Sequence, residues 1–479
     1  MSSRHQRRFP LTLASVLLLF LSLAPFAPSP VLPQTTNPVP PPENHWLGAS
    51  LDWNADSPLN FSRRIGRASL IYMWFMANPI EDGAFEYLKT KVLREPFPEN
   101  GVLVITMEPI AGLDKVDAAE IANIVKVCKT LNDANISVLL RFAHEMNGDW
   151  YAWGIKPALY RQTFAAVATG VHAGAPKTAM LWSPNIGVTY PYGARSPATP
   201  GSADFIELDT NNDGVVDVND DPYGPFWPGD QYVDWVGMSL YWTGSPFGQN
   251  TIPFAEDFFN SIHGRDPQSG VKMSTPDFYS NYSVSKNKPF IVTETGAMHV
   301  EGRPGPGELE IKKAWWSQTV TQAALTAFPM MKGMLLYEVT VLAPREFNTS
   351  VNISYAYTLN QTIRDPFVAD LPYDLYTWGP LVYSRHSAHF SATAFAGYEI
   401  DPTPGPINGT IAAVVNAQPK STSTSTARTS ATATSAAGVA GSSSGSMKPG
   451  AGSSVMARDW KSTAAVLFAA LLAVVVVVA

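Results

Sequence analysis

Eight short apolar segments recur through the middle of the chain, and their number and spacing restrict the folds open to it. They are Leu47–Trp53, Ala68–Met76, Val102–Glu108, Ser137–Glu145, Ala179–Asn185, Val233–Trp242, Pro289–Glu294 and Met331–Glu338. Most are rich in Val, Ile, Leu and aromatic residues, a pattern that predicts strands buried on both faces. The chain is therefore expected to form a large sheet covered on both sides.

Helical patterns separate several of these predicted strands. They cover Phe85–Arg94, Asp117–Leu131, Ala158–Val171 and Glu308–Ala327. Strands that alternate with helices indicate βαβ units, and eight of them predict an α/β fold of the closed (β/α)8 (TIM barrel) type. An open doubly wound sheet is the alternative, which is weakened because no glycine-rich phosphate loop follows the first segment.

Alternation along three segments predicts which side chains face the barrel interior, because alternate residues of a strand share a face. The three sets are Gly237, Ser239 and Tyr241; Arg141, Ala143 and Glu145; and Phe290, Val292 and Glu294. Polar groups that point inward at the carboxyl end of a barrel strand are typical of chemical sites. These ends are therefore where we expect the functional residues.

Composition excludes several classes of function. The 33 basic residues are outnumbered by 40 acidic ones, giving a net charge of -7, so no basic excess exists to bind nucleic acid. A single cysteine excludes intramolecular disulfides and cysteine-based zinc or iron–sulfur sites. We expect a monomer whose catalysis needs no cofactor.

Both ends of the chain have the features of targeting segments. Arg4, Arg7 and Arg8 precede the apolar run Leu11–Leu23, which predicts a secretory signal peptide over residues 1–27, too short to be a membrane anchor. Small residues, a polar spacer and the apolar run Ala464–Ala479 predict a GPI-anchor signal over residues 456–479, with a tail-anchor helix as the alternative. The expected location is extracellular, on the plasma membrane's outer leaflet or the cell wall.

The remaining organisation follows from composition. Residues 28–44 are predicted to be a proline-rich lead-in, residues 45–415 the barrel, and residues 416–455 a Ser/Thr-rich stalk. Several Asn-x-Ser/Thr sequons agree with a secreted glycoprotein.

Two glutamates close predicted strands, Glu145 the fourth and Glu294 the seventh. Two carboxylates on opposite sides of a bond are what a glycosidase requires. One must stay protonated to donate to the leaving oxygen, and the charge of the other raises its pKa. Either glutamate alone could instead serve a surface or ion-pairing role.

The sequence around these glutamates resembles a known family. The run Arg141-x-x-His144-Glu145-Met146-Asn147-Gly148-x-Trp150-x-x-Trp153-Gly154 is similar to the fourth-strand signature of glycoside hydrolase family 26, the β-mannanase-like enzymes of clan A. Further similarities to the family's other strands are Leu47–Ser50, Thr106–Pro109, Val233–Tyr241 and Thr293–Gly296. The resemblance covers about residues 45–400. Together with the two terminal segments, it indicates a fungal-type, secreted and surface-anchored member of the family.

The resemblance implies roles for particular residues. Glu145 would be the general acid/base and Glu294 the nucleophile, with net retention, and Tyr241 would hydrogen-bond the nucleophile. His144 would contact substrate or orient Glu145, with a core histidine as the alternative. Arg141 would keep Glu294 charged, and a buried structural ion pair is equally expected. Trp150 and Trp153 would form the floor of the substrate cleft, and Trp242, which also falls near a strand end, could extend it. A core aromatic is the alternative for each of these tryptophans. Glu108 and Asn185 are further candidate substrate-binding residues.

The implied activity is that of a retaining endo-β-glycosidase acting on mannan-type polysaccharide or β-glucan. The predicted eighth strand ends in Leu336-Tyr337-Glu338, where mannanases of the family usually place a Trp. Mannan, mixed-linkage β-glucan and xylan therefore all remain open as substrates. A cell-wall transglycosylase of the same fold and an inactive, wall-anchored carbohydrate-binding protein are the alternatives.

An acidic loop lies between the fifth and sixth predicted strands. Residues 209–220 follow the spacing of an EF-hand calcium loop, with Gly214 at the turn. The predicted ligands are Asp209, Asn211, Asp213, Val215, Asp217 and Asp220. We expect a structural Ca²⁺ here, with an acidic solvated turn as the alternative.

Overall fold

The computed structural model describes residues 37–192, 198–342 and 351–379. Eight parallel strands close a barrel in the order β1-β2-β3-β4-β5-β6-β7-β9, which confirms the predicted (β/α)8 fold. The strands are β1 Trp46–Leu51, β2 Ile71–Asn78, β3 Val102–Pro109, β4 Ser137–Phe142, β5 Thr178–Trp182, β6 Trp235–Ser239, β7 Phe290–Thr295, β8 His299–Val300, β9 Met331–Glu338, β10 Thr340–Leu342 and β11 Asn352–Ser354.

Helices surround the barrel. They are α1 Pro58–Ile65, α2 Asp82–Lys89, α3 Ala118–Asp133, α4 Pro157–Gly174, α5 Ala203–Leu208, α6 Asp257–Ile262, α7 Glu308–Thr319, α8 Gln322–Ala327 and α9 Gln361–Asp370. The single helix predicted over Glu308–Ala327 is divided, because Thr321 caps α8 by accepting a hydrogen bond from the Ala324 N–H. No helix in the described ranges is both long and apolar enough to cross a membrane.

An apolar cluster fills the amino-terminal half of the barrel interior. It includes Trp46 of β1, Ile71 of β2 and Trp235 of β6, and it also includes Val39 from the lead-in. Trp235 donates a hydrogen bond to the Val39 carbonyl at 2.8 Å and stacks on Trp46. The folded unit therefore includes Val39, whereas the sequence placed its start at residue 45. The predicted signal peptide, the stalk and the anchor signal lie outside the described residues.

A small antiparallel sheet stands beside the carboxyl-terminal mouth of the barrel. It has the order β10-β11-β8, so it joins the segments that follow β7 and β9. Its apolar cluster contains Tyr337 and Tyr355, and Tyr241 packs against it. This sheet therefore forms one wall of the mouth and supports residues that face the interior.

Candidate active site

Arg141 of β4 occupies the centre of the barrel above the apolar layer. Its side chain is fully buried, and its guanidinium donates to the hydroxyls of Ser183 (Nε, 3.0 Å) and Ser239 (Nη2, 2.6 Å). Its Nη1 also forms an ion pair with Glu294 Oε1. Unpaired burial of a charge is costly, so this network fixes both the arginine and its carboxylate partner.

A β-bulge brings Glu294 into the barrel. Met238 pairs with Val292, yet the next residue of β6, Ser239, pairs with Glu294, so β7 contains one additional residue at this point. The prediction that Phe290, Val292 and Glu294 share an inward face is wrong. Phe290 packs on Phe278 at the helix side, and Ile291 instead belongs to the interior cluster. The bulge reverses the alternation just before Glu294.

Two donors hold the Glu294 carboxylate. Arg141 Nη1 donates to Oε1, and the Tyr241 hydroxyl donates to Oε2 at 2.6 Å. The tyrosine continues the inward face that Ser239 occupies on β6. The guanidinium balances the carboxylate charge, and the phenol fixes its orientation, as a carboxylate nucleophile requires.

Glu145 lies in a turn rather than at a strand end. β4 ends at Phe142, and both Ala143 and Glu145 have left-handed backbone conformations, with φ of 49° and 52°. The Glu145 N–H donates to the Ser183 carbonyl at 2.9 Å, which places the turn against β5. Such conformations in non-glycine residues are uncommon and concentrate at functional sites. The alternation used to place Glu145 inward does not extend beyond Phe142.

The Glu145 carboxyl is buried with one oxygen engaged and one open. Trp150 Nε1 donates to Oε2 at 2.9 Å, and Oε1 has no hydrogen-bond partner among the described residues. Burial and the negative charge of Glu294 raise the pKa of Glu145 to about 7, against opposing effects of Arg141, Ser239 and Trp150. A carboxyl group with such a pKa holds its proton up to neutral pH and can donate it.

This geometry predicts a particular pH dependence of hydrolysis. If Glu145 acts as the general acid of a glycoside hydrolase, it must be protonated, and kcat/KM should fall as pH rises through about 7. The Trp150 hydrogen bond favours the ionised form, so Trp150→Phe should raise the pKa and move this alkaline limb upward by roughly 0.5–1 pH unit. The measurement is the pH profile of kcat/KM.

Trp153→Phe is the matched control, because the Trp153 indole donates to the His144 carbonyl and not to Glu145. Its alkaline limb should stay where the wild-type limb lies. An unmoved limb in Trp150→Phe, or equal shifts in both variants, would contradict the role given to Trp150.

His144 belongs to an aromatic group behind Glu145. Its Nε2 lies 3.1 Å from the Tyr151 hydroxyl, and Tyr151 stacks on Trp153 with ring centroids 4.3 Å apart. Burial and the nearby Arg141 charge lower the pKa of His144, so the ring is neutral. Trp153 is 1% exposed, which makes it a support of the loop rather than an open face of the cleft.

The other two predicted binding residues, Trp242 and Asn185, have different surroundings in the structure. Trp242 donates to the Thr251 carbonyl at 2.8 Å and packs edge-on against Phe254, so these contacts of its indole are with the segment that follows β6. Asn185 extends β5, and its backbone forms a parallel bridge with Ser239 beside the carboxylates. The predicted role of Asn185 at the edge of the site is therefore compatible with its position.

Two tyrosines at the mouth of the barrel, Tyr337 and Tyr355, were not predicted from the sequence as site residues. Tyr337 shares the inward face of β9 with Leu335, and its ring lies 5.8 Å from Tyr241 and 5.6 Å from Tyr355. The adjacent Glu338 faces away and accepts hydrogen bonds from the Thr358 N–H and hydroxyl. Alternation from Leu335 could have identified Tyr337, whereas Tyr355 directly follows β11, for which no pattern was recognised.

Glu108 adds a third carboxyl group. It follows Thr106 on the inward face of β3, and the Thr106 hydroxyl lies 3.4 Å from Arg141 Nη1. Burial, with smaller contributions from the charges of Glu294 and Glu145, raises the pKa of Glu108 to about 8. The site therefore combines three glutamates with one arginine.

The acidic loop over residues 209–220 is closed by its own hydrogen bonds. The Asp209 carboxylate accepts from the N–H groups of Asp213 (3.0 Å) and Gly214 (2.9 Å), and the Asp220 carboxylate accepts from the Thr210 N–H (2.7 Å). In the part of the chain that the structure describes, no three His, Cys, Asp or Glu side chains converge as a metal-binding group. Two of the predicted ligands, Asp209 and Asp220, thus accept hydrogen bonds from backbone N–H groups of the loop itself.

Comparisons with known proteins bear on the same region. Residues 104–183 match the profile of glycosyl hydrolase family 26, a span that runs from β3 to β5 and carries Glu108, Arg141 and Glu145. This match supports the assignment of the chain to the class of glycoside hydrolases. A search of curated proteins gave no match.

Solved structures similar to this chain include mannanases. A Bacillus subtilis mannanase has 18% identity and a TM-score of 0.36 over 64% of this chain and 81% of its own. The catalytic domain of a Bacillus sp. JAMB-750 endo-β-1,4-mannanase has 14% identity and a TM-score of 0.43 over 72% and 90%. A Podospora anserina β-(1,4)-mannanase has 13% identity and a TM-score of 0.32 over 62% and 56%.

Proposed function

We propose that the protein is a retaining endo-β-glycosidase of the family 26 type, acting on mannan-type polysaccharide or β-glucan. The observation that carries the proposal is the contrast between two buried carboxyl groups in one barrel mouth. Glu294 accepts hydrogen bonds from Arg141 and Tyr241, whereas Glu145 has a raised pKa of about 7 and one open oxygen. A carboxylate nucleophile and a carboxylic acid are the two groups of a retaining glycosidase.

The reaction would proceed in two displacements. In the first, a Glu294 oxygen attacks the anomeric carbon, the bond to the leaving sugar breaks, and Glu145 gives its proton to the departing oxygen. In the second, Glu145 takes a proton from water, which attacks the anomeric carbon and releases Glu294. The two inversions restore the original configuration, and each carboxyl group regains its starting protonation state.

A panel of soluble mannan, mixed-linkage β-glucan and xylan tests the proposal. We expect reducing ends to appear from mannan or β-glucan, with oligosaccharides rather than single sugars as early products. Products longer than the substrate would instead favour a transglycosylase. Binding without release of reducing ends from any polysaccharide would overturn the proposal in favour of a carbohydrate-binding protein.

We also propose that the protein is secreted and held at the cell surface by a GPI anchor, on the strength of its two terminal sequence patterns. In cells that express the full chain, phosphatidylinositol-specific phospholipase C should release most of the surface protein into the medium. A variant with charged residues in place of the Val474–Val478 run should lose surface display. Surface protein that resists the phospholipase would contradict the anchor.

A structural calcium ion at residues 209–220 rests on the spacing of the sequence pattern. If it binds, a chelator should lower Tm by roughly 5 °C, the effect of removing an ion present at 100 times its Kd. kcat measured well below Tm should change much less. Asp213→Asn, which removes one ligand charge, should abolish the chelator effect. An unchanged wild-type Tm would show that the hydrogen bonds alone close the loop.

A further inference from the structure

Glu108 is a buried carboxyl group with an unused oxygen at the mouth of the barrel. It is 4% exposed, and its Oε1 has no hydrogen-bond partner within the described ranges. β3 remains a regular strand through Pro109, so the face that carries Val104 and Thr106 into the interior also carries Glu108. A buried polar atom without a partner is rare, and at a site mouth it indicates a place for a ligand.

The neighbouring charges leave Glu108 without a cation of its own. Arg141 directs its nitrogens to Ser183, Ser239, Thr106 and Glu294, and it gives no hydrogen bond to Glu108 in the described structure. One guanidinium cannot balance three buried carboxylates. Since Glu294 takes the ion pair, burial and the nearby negative charge favour the protonated forms of the other two glutamates.

We propose that Glu108 binds substrate as a neutral carboxylic acid, donating a hydrogen bond to an oxygen of the sugar held between Glu145 and Glu294. This inference rests on the proposed glycosidase function and assigns one further contact within it. A protonated carboxyl group is a donor, whereas an ionised one only accepts. Substrate would therefore bind more tightly while Glu108 is protonated, and its affinity would fall once Glu108 loses its proton.

Several titratable groups act on Glu108. Glu294, Arg141 and Glu145 affect it directly, and its own charge acts on Tyr151 and Tyr337. Burial raises the pKa of both tyrosines, so they remain neutral over the range in which Glu108 titrates. The pKa of Glu108, about 8, lies above that of Glu145, about 7, so KM and kcat should respond to different ionisations.

Infrared spectroscopy can test, without any substrate, whether Glu108 carries a proton. Protonated carboxyl groups have a C=O band that carboxylates lack. In Glu145→Gln, the part of this band that comes from Glu108 should be present at neutral pH and disappear between about pH 7 and 9.5. It should be missing after the additional change Glu108→Gln, whereas buried Glu338, whose pKa is also raised, contributes to both spectra alike. Glu99→Gln, at an exposed position before β3, is the matched control and should leave the band intact. Absence of a Glu108-dependent band at neutral pH would overturn the inference.

Kinetic measurements with the polysaccharide that the panel identifies test the proposed hydrogen bond between Glu108 and the sugar. Glu108→Ala should raise KM roughly tenfold at neutral pH, the loss of one hydrogen bond. Glu108→Gln keeps an N–H donor, so its KM should rise less and should lose the increase seen in the wild type above about pH 8. A KM in Glu108→Gln with the wild-type pH dependence would contradict the proposal. If no polysaccharide is cleaved, the glycosidase function fails, whereas the infrared band reports separately on the proton.

Discussion

Glu294→Ala should abolish polysaccharide hydrolysis, lowering kcat by at least about 10⁴-fold. The alanine cannot attack the anomeric carbon, and no other described carboxylate is held by both Arg141 and Tyr241. The cavity left by the side chain can admit azide, which also restores a negative charge beside Arg141. Added azide should therefore restore turnover of activated aryl glycosides and give a glycosyl azide of inverted configuration.

Folding must be measured in parallel, because the substitution leaves the buried Arg141 without its partner. Breaking such a pair costs about 3–5 kcal/mol, which many domains tolerate at low temperature. Glu294→Gln keeps the shape and a hydrogen-bond acceptor, and it should also be inactive with a smaller loss in Tm. Glu301→Ala, at an exposed glutamate outside the mouth, is the control and should keep its activity. Wild-type turnover in a folded Glu294→Gln protein would remove the nucleophile from the account.

Glu145→Ala should lower kcat/KM on polysaccharide by about 10²–10⁴-fold, because a sugar leaving group departs poorly without a proton. Aryl glycosides with acidic phenols need no such help, so their first displacement should persist. The second displacement then lacks its base, and a burst of phenol should precede slow turnover. Rapid-quench measurement of the phenol released per enzyme molecule tests this.

Azide separates the two carboxyl roles. In Glu145→Ala, azide should attack the glycosyl-enzyme and give a product of retained configuration, opposite to that from Glu294→Ala. The matched variant Glu145→Gln should lose the acid function with less change in the mouth. Equal losses on polysaccharide and on activated aryl glycosides would contradict the assignment of Glu145 as the acid.

The barrel could be predicted because its signal is local and repeated. A short apolar run predicts each strand, and the periodicity of apolar positions, about 3.6 residues, predicts the helices between them. The prolines of the lead-in suggested a spacer, whereas Val39 belongs to the interior cluster that contains residues of all eight barrel strands. Contacts of that kind depend on the closed barrel and leave no mark in the segment's own composition.

The site was found by motif and resemblance, and its geometry was only partly predictable. Simple alternation placed Tyr241 correctly on the inward face with Ser239, but it failed for β7, because a bulge adds one residue before Glu294. It also failed for Glu145, whose turn has left-handed residues. Trp242 was expected in the cleft as an aromatic residue near a strand end, yet it alternates with Tyr241, and its indole contacts Thr251 and Phe254.

The most direct test of the central claim is to trap the glycosyl-enzyme. A 2-deoxy-2-fluoro glycosyl fluoride of the sugar identified by the panel should form a long-lived adduct, since the fluorine slows its hydrolysis. Peptide mass spectrometry of the labelled protein should then locate one sugar on Glu294, with labelling reduced by a competing oligosaccharide. A sugar attached to another residue, or complete turnover with no adduct and an inverted product, would contradict the paired roles of Glu294 and Glu145.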